Sequence, residues 1–530
     1  MFGNLSDIIT YYNLAKTFFY LTHFMEYGME FSKKINNEFS KTFSNKTFSN
    51  TLPSLALSAL CIGLSACAAL TPSSKPMLTQ HPIKQQSSNN QSPNPALESD
   101  LNSNLKSTQL LSNRHEYRLD NGLKVIIKED HRSPIVMSQV WYNVGSDDEP
   151  EALGGISHLL EHMMFKGTKK VSSNDFEQLI AKFGGKNNAF TSHDYTAYYE
   201  IFPANRLNLA LELEADRMTN LQLQQADFDS ERLVVMEERR QRTDDNPQAL
   251  AFEQFMQMVY PNSPKGESVI GPMAEIQAIT LDDLKKWYQT WYAPNNATIV
   301  IVGDVKAKEA LAQVKKYFGN KKPTQLPNRP SVQQKAFRGY QEATTKLSVQ
   351  APFVLMAYNL PTLTTAKDPN TAYTLALLNN VLDGGLSARL EKNLVRQRQI
   401  LAAVASNYSA FHRGDGVLMI QATPRDGVSL EMAKQAIIDE IEALKTQTIL
   451  DSELKRAKTT TMTGLIYSQD TLTGQAQMIG SLSSIGLDDR LIYQLPTIFD
   501  KINQQQIQQV AKQYLTKDNL TVLKVVKDSQ

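Results

Sequence analysis

From His115 the chain carries two runs of alternating apolar and polar residues around Asp120-Asn121-Gly122 (HEYRLDNGLKVIIKED). Alternation puts every second side chain on one face, and Asn-Gly tolerates the backbone of a tight reversal, so the segment predicts a β-hairpin. IVMSQVWYNVGS predicts a further strand. Apolar positions three and four apart then predict helices from Gly154 onward and over residues 173–183, 204–222 and 227–242. Between them, residues 188–201 (NAFTSHDYTAYYEI) alternate and are rich in β-branched and aromatic side chains, which predicts one strand. The half closes with a helix over 281–291, a turn at Ala293-Pro294-Asn295-Asn296 and a buried strand in ATIVIVGDV.

KKPTQLPNR, residues 321–329, reads as a linker. Beyond it the same order of elements recurs: a strand (FVLMAYNLP), a helix over 372–382, Gly384-Gly385, a helix over 388–398, strands in AAVASNYSAF and GVLMIQATP, further helices, and a last strand over 520–526. Strands and helices segregated in this way predict an α+β fold of two homologous domains, each a largely antiparallel sheet packed with helices. The boundaries are an N-terminal domain over 114–320, a linker over 321–345 and a C-terminal domain over 346–530.

Residues 1–113 have a different texture. LPSLALSALCIGLSA, residues 52–66, is an apolar run of signal length, preceded by Lys41 and Lys46 and followed by Cys67. Leu64-Ser65-Ala66-Cys67 resembles a bacterial lipobox, which implies cleavage before Cys67 and acylation of its thiol. Residues 1–67 are therefore expected to be a lipoprotein signal segment. Its aromatic-rich first half (YYNLAKTFFYLTHF) is unusual for a signal and points to a start at Met25 or Met29. Residues 68–113, rich in Ser, Asn, Gln and Pro, read as a flexible polar tether. The expected location is the bacterial cell envelope, on the periplasmic face of the outer membrane.

Composition narrows the chemistry. The 55 Lys and Arg nearly balance the 54 Asp and Glu, which argues against nucleic acid as a partner. The two cysteines, Cys61 and Cys67, both lie in the signal segment, so a metal in the folded part must be held by His and carboxylate.

His158-Leu-Leu-Glu161-His162 supplies those groups. On a helix His158 and His162 fall about 40° apart with Glu161 beside them, so all three share a face. Two imidazoles at this spacing can chelate zinc, and the carboxylate can act as a general base. A lone buried histidine usually only satisfies hydrogen bonds; three specified residues in five, in the H-x-x-E-H order of inverted zinc peptidase motifs, outweigh that reading.

GGISHLLEHMMFKGT, GGKNNAFTSHDYTAYYE, ERLVVMEER, SVIGPMAEIQAITLDDLKKWY, WYAPNNATIVIVGDV and GGLSARLEKNLVRQR together resemble the pitrilysin/insulinase-type zinc metallopeptidases, in the layout of the mitochondrial-processing-peptidase-like branch. The resemblance spans about residues 115–530. It implies one Zn2+ per chain, held by His158, His162 and Glu238, with Glu231 in support and Glu161 as the proton-transferring group. It also implies peptide hydrolysis without a covalent intermediate, and an edge strand at Asn188, Ala189 and Phe190 on which an extended peptide adds as a further strand. His193 lies nearby, but nothing in the motif makes it a ligand.

One departure bears on partners. Single-chain members of the family carry an Arg and a Tyr seven residues apart in the C-terminal half; the gapless match places these positions at Val395 and Ala402. Arg396 and Arg398 do not restore the pair, because Ala403 and Ala405 stand seven residues further on. The resemblance therefore implies a heterodimer in which a homologous subunit supplies the pair. A self-sufficient homodimeric peptidase and a non-hydrolytic binding or assembly subunit are the alternatives.

Overall fold

The computed structural model describes residues 113–329 and 339–528. The signal segment, Cys67 and the tether as far as residue 112 lie outside these residues. The first domain runs β1 (Arg114–Arg118), β2 (Lys124–Glu129), β3 (Ile135–Tyr142), α1 (Ile156–Met163), α2 (Ser173–Lys182), β4 (Lys186–Thr191), β5 (Thr196–Pro203), α3 (Leu207–Asn220), α4 (Gln225–Arg239), α5 (Pro247–Val259), α6 (Met273–Ala278), α7 (Leu281–Trp291), β6 (Ala297–Gly303) and α8 (Ala307–Phe318). The second runs β7 (Gln341–Leu347), β8 (Phe353–Leu360), α9 (Pro369–Asp383), a π-helical stretch Leu390–Gln397, β9 (Leu401–Asn407), β10 (Gly416–Pro424), α10 (Leu430–Thr446), α11 (Asp451–Ser468), α12 (Leu472–Ser484), α13 (Leu491–Lys501), α14 (Gln504–Tyr514) and β11 (Leu520–Lys527).

The expected duplication is present in the sheets. The first has the order β1-β2-β6-β3-β5-β4 and the second β7-β11-β8-β10-β9. In each, one pair is parallel (β2 with β6, β7 with β11) and the remaining pairs are antiparallel. The α+β architecture of two mixed domains follows. β4 and β9 occupy equivalent positions, each at the edge of its sheet.

Three boundaries differ from the sequence expectations. Residues 188–201 form two strands, not one: β4 and β5 pair antiparallel around a turn in which Ser192 Oγ accepts the N–H groups of Asp194 and Tyr195. Alternation continues through this tight turn, which hid it. The expected linker over 321–345 contains most of β7, whose polar residues (QEATTKL) are at least partly exposed on both faces because it lies at a sheet edge. The helix expected over 227–242 is α4 followed by a π-helical turn, Arg240–Asp244.

β6 is buried at every position, and β2 and β3 nearly so. The reason is that each domain lends a helix to the other. Val125, Ile127, Val140, Ile299 and Ile301 point into the core of the first domain, whereas Ile126, Met137, Trp141, Val300 and Val302 pack against Ala476 and Ile479 of α12. Reciprocally, Ala251, Phe255 and Val259 of α5 cover Phe353, Leu355, Ala357, Leu523 and Val525 of the second sheet. Strands covered on both faces carry continuous apolar runs. Gly480 of α12 lies flat on the Trp141 ring: a Cβ there would stand 2.0 Å from the indole. Gly480→Ala is expected to destabilise the protein by about 1–3 kcal/mol through overpacking, measured by urea denaturation; an unchanged midpoint would show that the interdomain seam yields freely.

Candidate active site

α1 enters through Gly155, at φ 90°, where a side chain would meet the Ile270 carbonyl at 2.3 Å. No side chain of the capping residue itself closes this helix. Glu149 does so instead: its two carboxylate oxygens accept the N–H groups of Gly155 and Ser157, both at 2.8 Å. When ionised it satisfies two of the orphan donors and complements the positive end of the helix, although burial outweighs these two bonds and pushes the group up to about 8. Ile156, Leu159, Leu160 and Met163 then anchor α1 in the core, leaving His158 and His162 half-buried on the side that meets α4.

α4 is oriented by buried Phe228, Val235 and Arg239, the last forked onto Glu253 at 2.6 and 2.7 Å. Glu231 and Glu238, seven residues apart, thus share the face turned to α1. Glu238 Oε2 lies 3.9 Å from His158 Nε2 and 3.4 Å from His162 Nε2. The structure brings His158, His162 and Glu238 together with all three donor atoms within 4.8 Å of one another; among the described residues no other group of His, Cys, Asp and Glu does this. A tetrahedral zinc ion with bonds of about 2.0–2.1 Å has ligand edges of roughly 3.4 Å, so the donor set fits such an ion with a small closing movement.

The supporting contacts are also in place. Glu231 Oε2 lies 3.2 Å from His162 Nδ1, which directs the other ring nitrogen at Glu238, and Lys166 pairs with the second oxygen of Glu231. Arg242 Nη1 holds Glu238 Oε1 at 2.8 Å. Glu161 is buried beside the imidazoles, and Thr191 Oγ1, at the end of β4, donates to its Oε2 at 2.5 Å.

Burial sets the protonation of these groups in the metal-free chain. It pushes Glu161 up to about 7, against the pull of the Thr191 hydroxyl and His162. It drives His158 down to about 3, helped by the neighbouring imidazole. Burial would depress His162 as well, but Glu231 and Glu238 outweigh it and raise this group to about 9. For Glu238 burial is overcome by His162, His158 and Arg242, which bring it down to about 2.

Asn188, Ala189 and Phe190 lie on β4, which among the described residues pairs only with β5 in its sheet and so has an outer edge. The Ala189 N–H donates to Asn188 Oδ1 at 2.9 Å. Ala189 and Thr191 face α1, whereas the Phe190 ring turns to the opposite face and packs edge-on to Trp141 at 5.3 Å. His193 stands apart from the donor set, with Nδ1 2.8 Å from Ser146 Oγ. Val395 is half-buried against the second core, and Ala402 is exposed on β9. Arg396 and Arg398 lie near Glu391 and Glu440, at 3.6 and 3.8 Å.

With this geometry established, comparison with known proteins decides the family. The insulinase model (peptidase family M16) matches residues 124–273, and the model of the peptidase M16 inactive domain matches 278–461. The zinc protease PqqE of Helicobacter pylori is 32% identical over 363 residues, 68% of this chain and 80% of that protein. The chain belongs to the insulinase family of peptidases. The uncharacterized zinc protease YmxG of Bacillus subtilis is 25% identical over 402 residues, 76% of this chain and 96% of its own length. Among solved structures, a protease from Helicobacter pylori superposes with a TM-score of 0.72 at 27% identity, covering 78% of this chain and 99% of the other. The periplasmic protease PqqL from Escherichia coli shares the fold, with a TM-score of 0.64 at 20% identity; 78% of this chain covers 47% of that one.

Thr191 and Glu149 were not singled out in the sequence. Thr191 follows the Asn188-Ala189-Phe190 segment and shares the α1-facing side of β4 with Ala189, and that two-residue spacing is its signal in the sequence. Glu149 gave none, because its contact depends on a loop folding back.

Because the ion must displace a proton from His162, affinity for Zn2+ in the metal-free chain is expected to rise with pH from 6 to about 9. A competition titration with a chromophoric chelator at each pH measures this; a flat profile would refute the protonated His162.

Proposed function

We propose that the chain is the catalytic subunit of a zinc-dependent endopeptidase that hydrolyses peptides or unfolded segments. The observation that carries this reading is the convergence of His158, His162 and Glu238 from two helices, with Glu161 beside them. A divalent ion bound there supplies a Lewis acid for the scissile carbonyl and lowers the pKa of water. Glu161 has the chemistry of the proton carrier: Thr191 occupies Oε2, which leaves Oε1 to take the proton of the attacking water and deliver it to the departing amide nitrogen. Carbon–oxygen bond formation and carbon–nitrogen cleavage then balance without a covalent enzyme intermediate. The outer edge of β4 offers main-chain groups to an extended peptide, and the Ala189 N–H now held by the Asn188 side chain is a donor that a substrate carbonyl can take over.

The absence of an Arg/Tyr pair at Val395 and Ala402 supports completion of the site by a homologous subunit, with a homodimer and a purely peptide-binding chain as the competing outcomes. Mixing this chain with a homologue that carries the pair and lacks H-x-x-E-H is expected to raise peptidase activity well above either chain alone. Equal activity of the isolated chain would establish self-sufficiency, and no activity in any mixture would leave the binding role.

Glu161→Gln is expected to lower kcat by about 10³-fold, the middle of the range that general acid–base catalysis supplies, with zinc content by elemental analysis unchanged. Thr191→Val is expected to cost about tenfold in kcat at constant metal content, in keeping with loss of a hydrogen bond to a charged group, ~1.5 kcal/mol. Activity of E161Q near that of the parent protein would dismiss the hydrolytic reading. We further propose that the mature chain is lipid-anchored through Cys67 in the bacterial envelope. Metabolic labelling with a fatty acid should mark the parent protein and not Cys67→Ser; equal labelling of both would exclude this attachment point.

A further inference from the structure

The second domain contributes none of the donor set, yet one of its side chains grips the two turns from which the site is suspended. Arg413 lies in the loop between β9 and β10 and reaches across the domain boundary. Its Nη1 and Nη2 donate to the two carboxylate oxygens of Asp148 at 3.0 and 2.9 Å, and its Nε donates to Asp194 Oδ1 at 2.8 Å. Its backbone N–H donates to Asp194 Oδ2 at 3.2 Å, and Nη2 also reaches the His193 carbonyl at 3.4 Å. Every polar group of the guanidinium is therefore spent on the first domain. The side chains of Arg413, Asp148 and Asp194 are only 11%, 3% and 7% exposed, so water cannot replace these contacts cheaply. The loop is fixed from both sides: Lys265 of the first domain donates to the Arg413 carbonyl, and Thr362 Oγ1 of the second donates to the Gly414 carbonyl at 2.7 Å.

What Arg413 holds leads directly to the site. The turn carrying Asp148 and the β4–β5 turn carrying Asp194 are joined by main-chain bonds, Ser146 N–H to Ser192 O at 3.1 Å and Asp147 N–H to His193 O at 2.9 Å. Asp148 Oδ2 also accepts the Gly145 N–H at 3.1 Å. The next residue after Asp148 is Glu149, which caps α1; the residue before the second turn is Thr191, which holds Glu161.

We propose that Arg413 is a positioning residue through which the second domain sets α1 and β4 for metal binding and proton transfer. This inference rests on the zinc reading of the site for its function, while the mechanical coupling stands on the contacts alone. The family model that covers Arg413 is described as an inactive domain; on this view the domain is inactive in donors only.

A matched control separates positioning from stability. Arg114 of β1 makes another interdomain ion pair, with Nε 2.6 Å from Asp489, whose side chain is fully buried. It lies at the opposite edge of the first sheet from β4. In the full chain, Arg413→Met and Arg114→Met are both expected to lower the thermal midpoint. Only Arg413→Met is expected to weaken Zn2+ affinity, by about tenfold, the lower end for losing a group that supports a metal ligand. It is also expected to speed amide hydrogen exchange over residues 156–163 and 186–191 in the metal-free chain. Arg413→Lys keeps the charge but loses the fork, and should fall between Arg413→Met and the parent protein; it carries the same readouts if the methionine variant does not fold. If the Arg413 variants match Arg114→Met in both zinc affinity and local exchange, the proposal is overturned. A parent protein that binds no stoichiometric zinc would sink the metal reading instead, and the exchange measurement would still decide the coupling.

Discussion

The structure depends on holding two helices so that a carboxylate oxygen on α4 lies within 4 Å of two imidazoles on α1. Polar groups brought this close in a half-buried cleft repel or neutralise one another unless their surroundings divide the charge among them. Here the division is clear: His158 is kept neutral, His162 is charged between two glutamates, and Glu238 is held ionised by His162, His158 and Arg242. The same arrangement that makes the metal-free site tolerable makes it competent for a divalent ion, because removing one proton from His162 leaves three donors facing one point.

Keeping the helices there is a task for the whole molecule. α1 is short, has no side-chain cap of its own, and is closed by Glu149 from a preceding loop. That loop is tied to the β4–β5 turn, and both are gripped by Arg413 from the other domain. The exchange of α5 and α12 between the domains adds an apolar seam on each side. A candidate metal site composed wholly of first-domain residues thus sits in a frame to which the second domain contributes Arg413 and α12.

The two edge strands express the asymmetry of the duplication. β4 carries main-chain groups beside Glu161, while its counterpart β9 presents Ala402 and Ala403, both exposed. In one repeat the edge strand contacts Glu161, beside the donor set, through Thr191; in the other the equivalent strand lies apart from it. The longer Escherichia coli structure, 47% of which is covered, contains the same fold as part of its chain.

Local periodicity and motif spacing determined much of this protein. The hairpin at Asn121-Gly122, the strands β3, β6, β8 and β10, the duplication, and the shared face of His158, Glu161 and His162 are consequences of side-chain direction along a helix or strand, which neighbouring residues fix. The pairing of that face with Glu238 and Glu231 was legible only through the family resemblance, since a charged stretch such as ERLVVMEER also suits a solvated helix. Tertiary structure alone decided the rest: that β4 and β5 are separate strands, that polar β7 belongs to a sheet, that Phe190 turns toward Trp141, and that Glu149, Thr191 and Arg413 serve the site. Each of these depends on groups far apart in the chain finding a buried partner, and desolvation rewards such a contact only after the domains have closed on it.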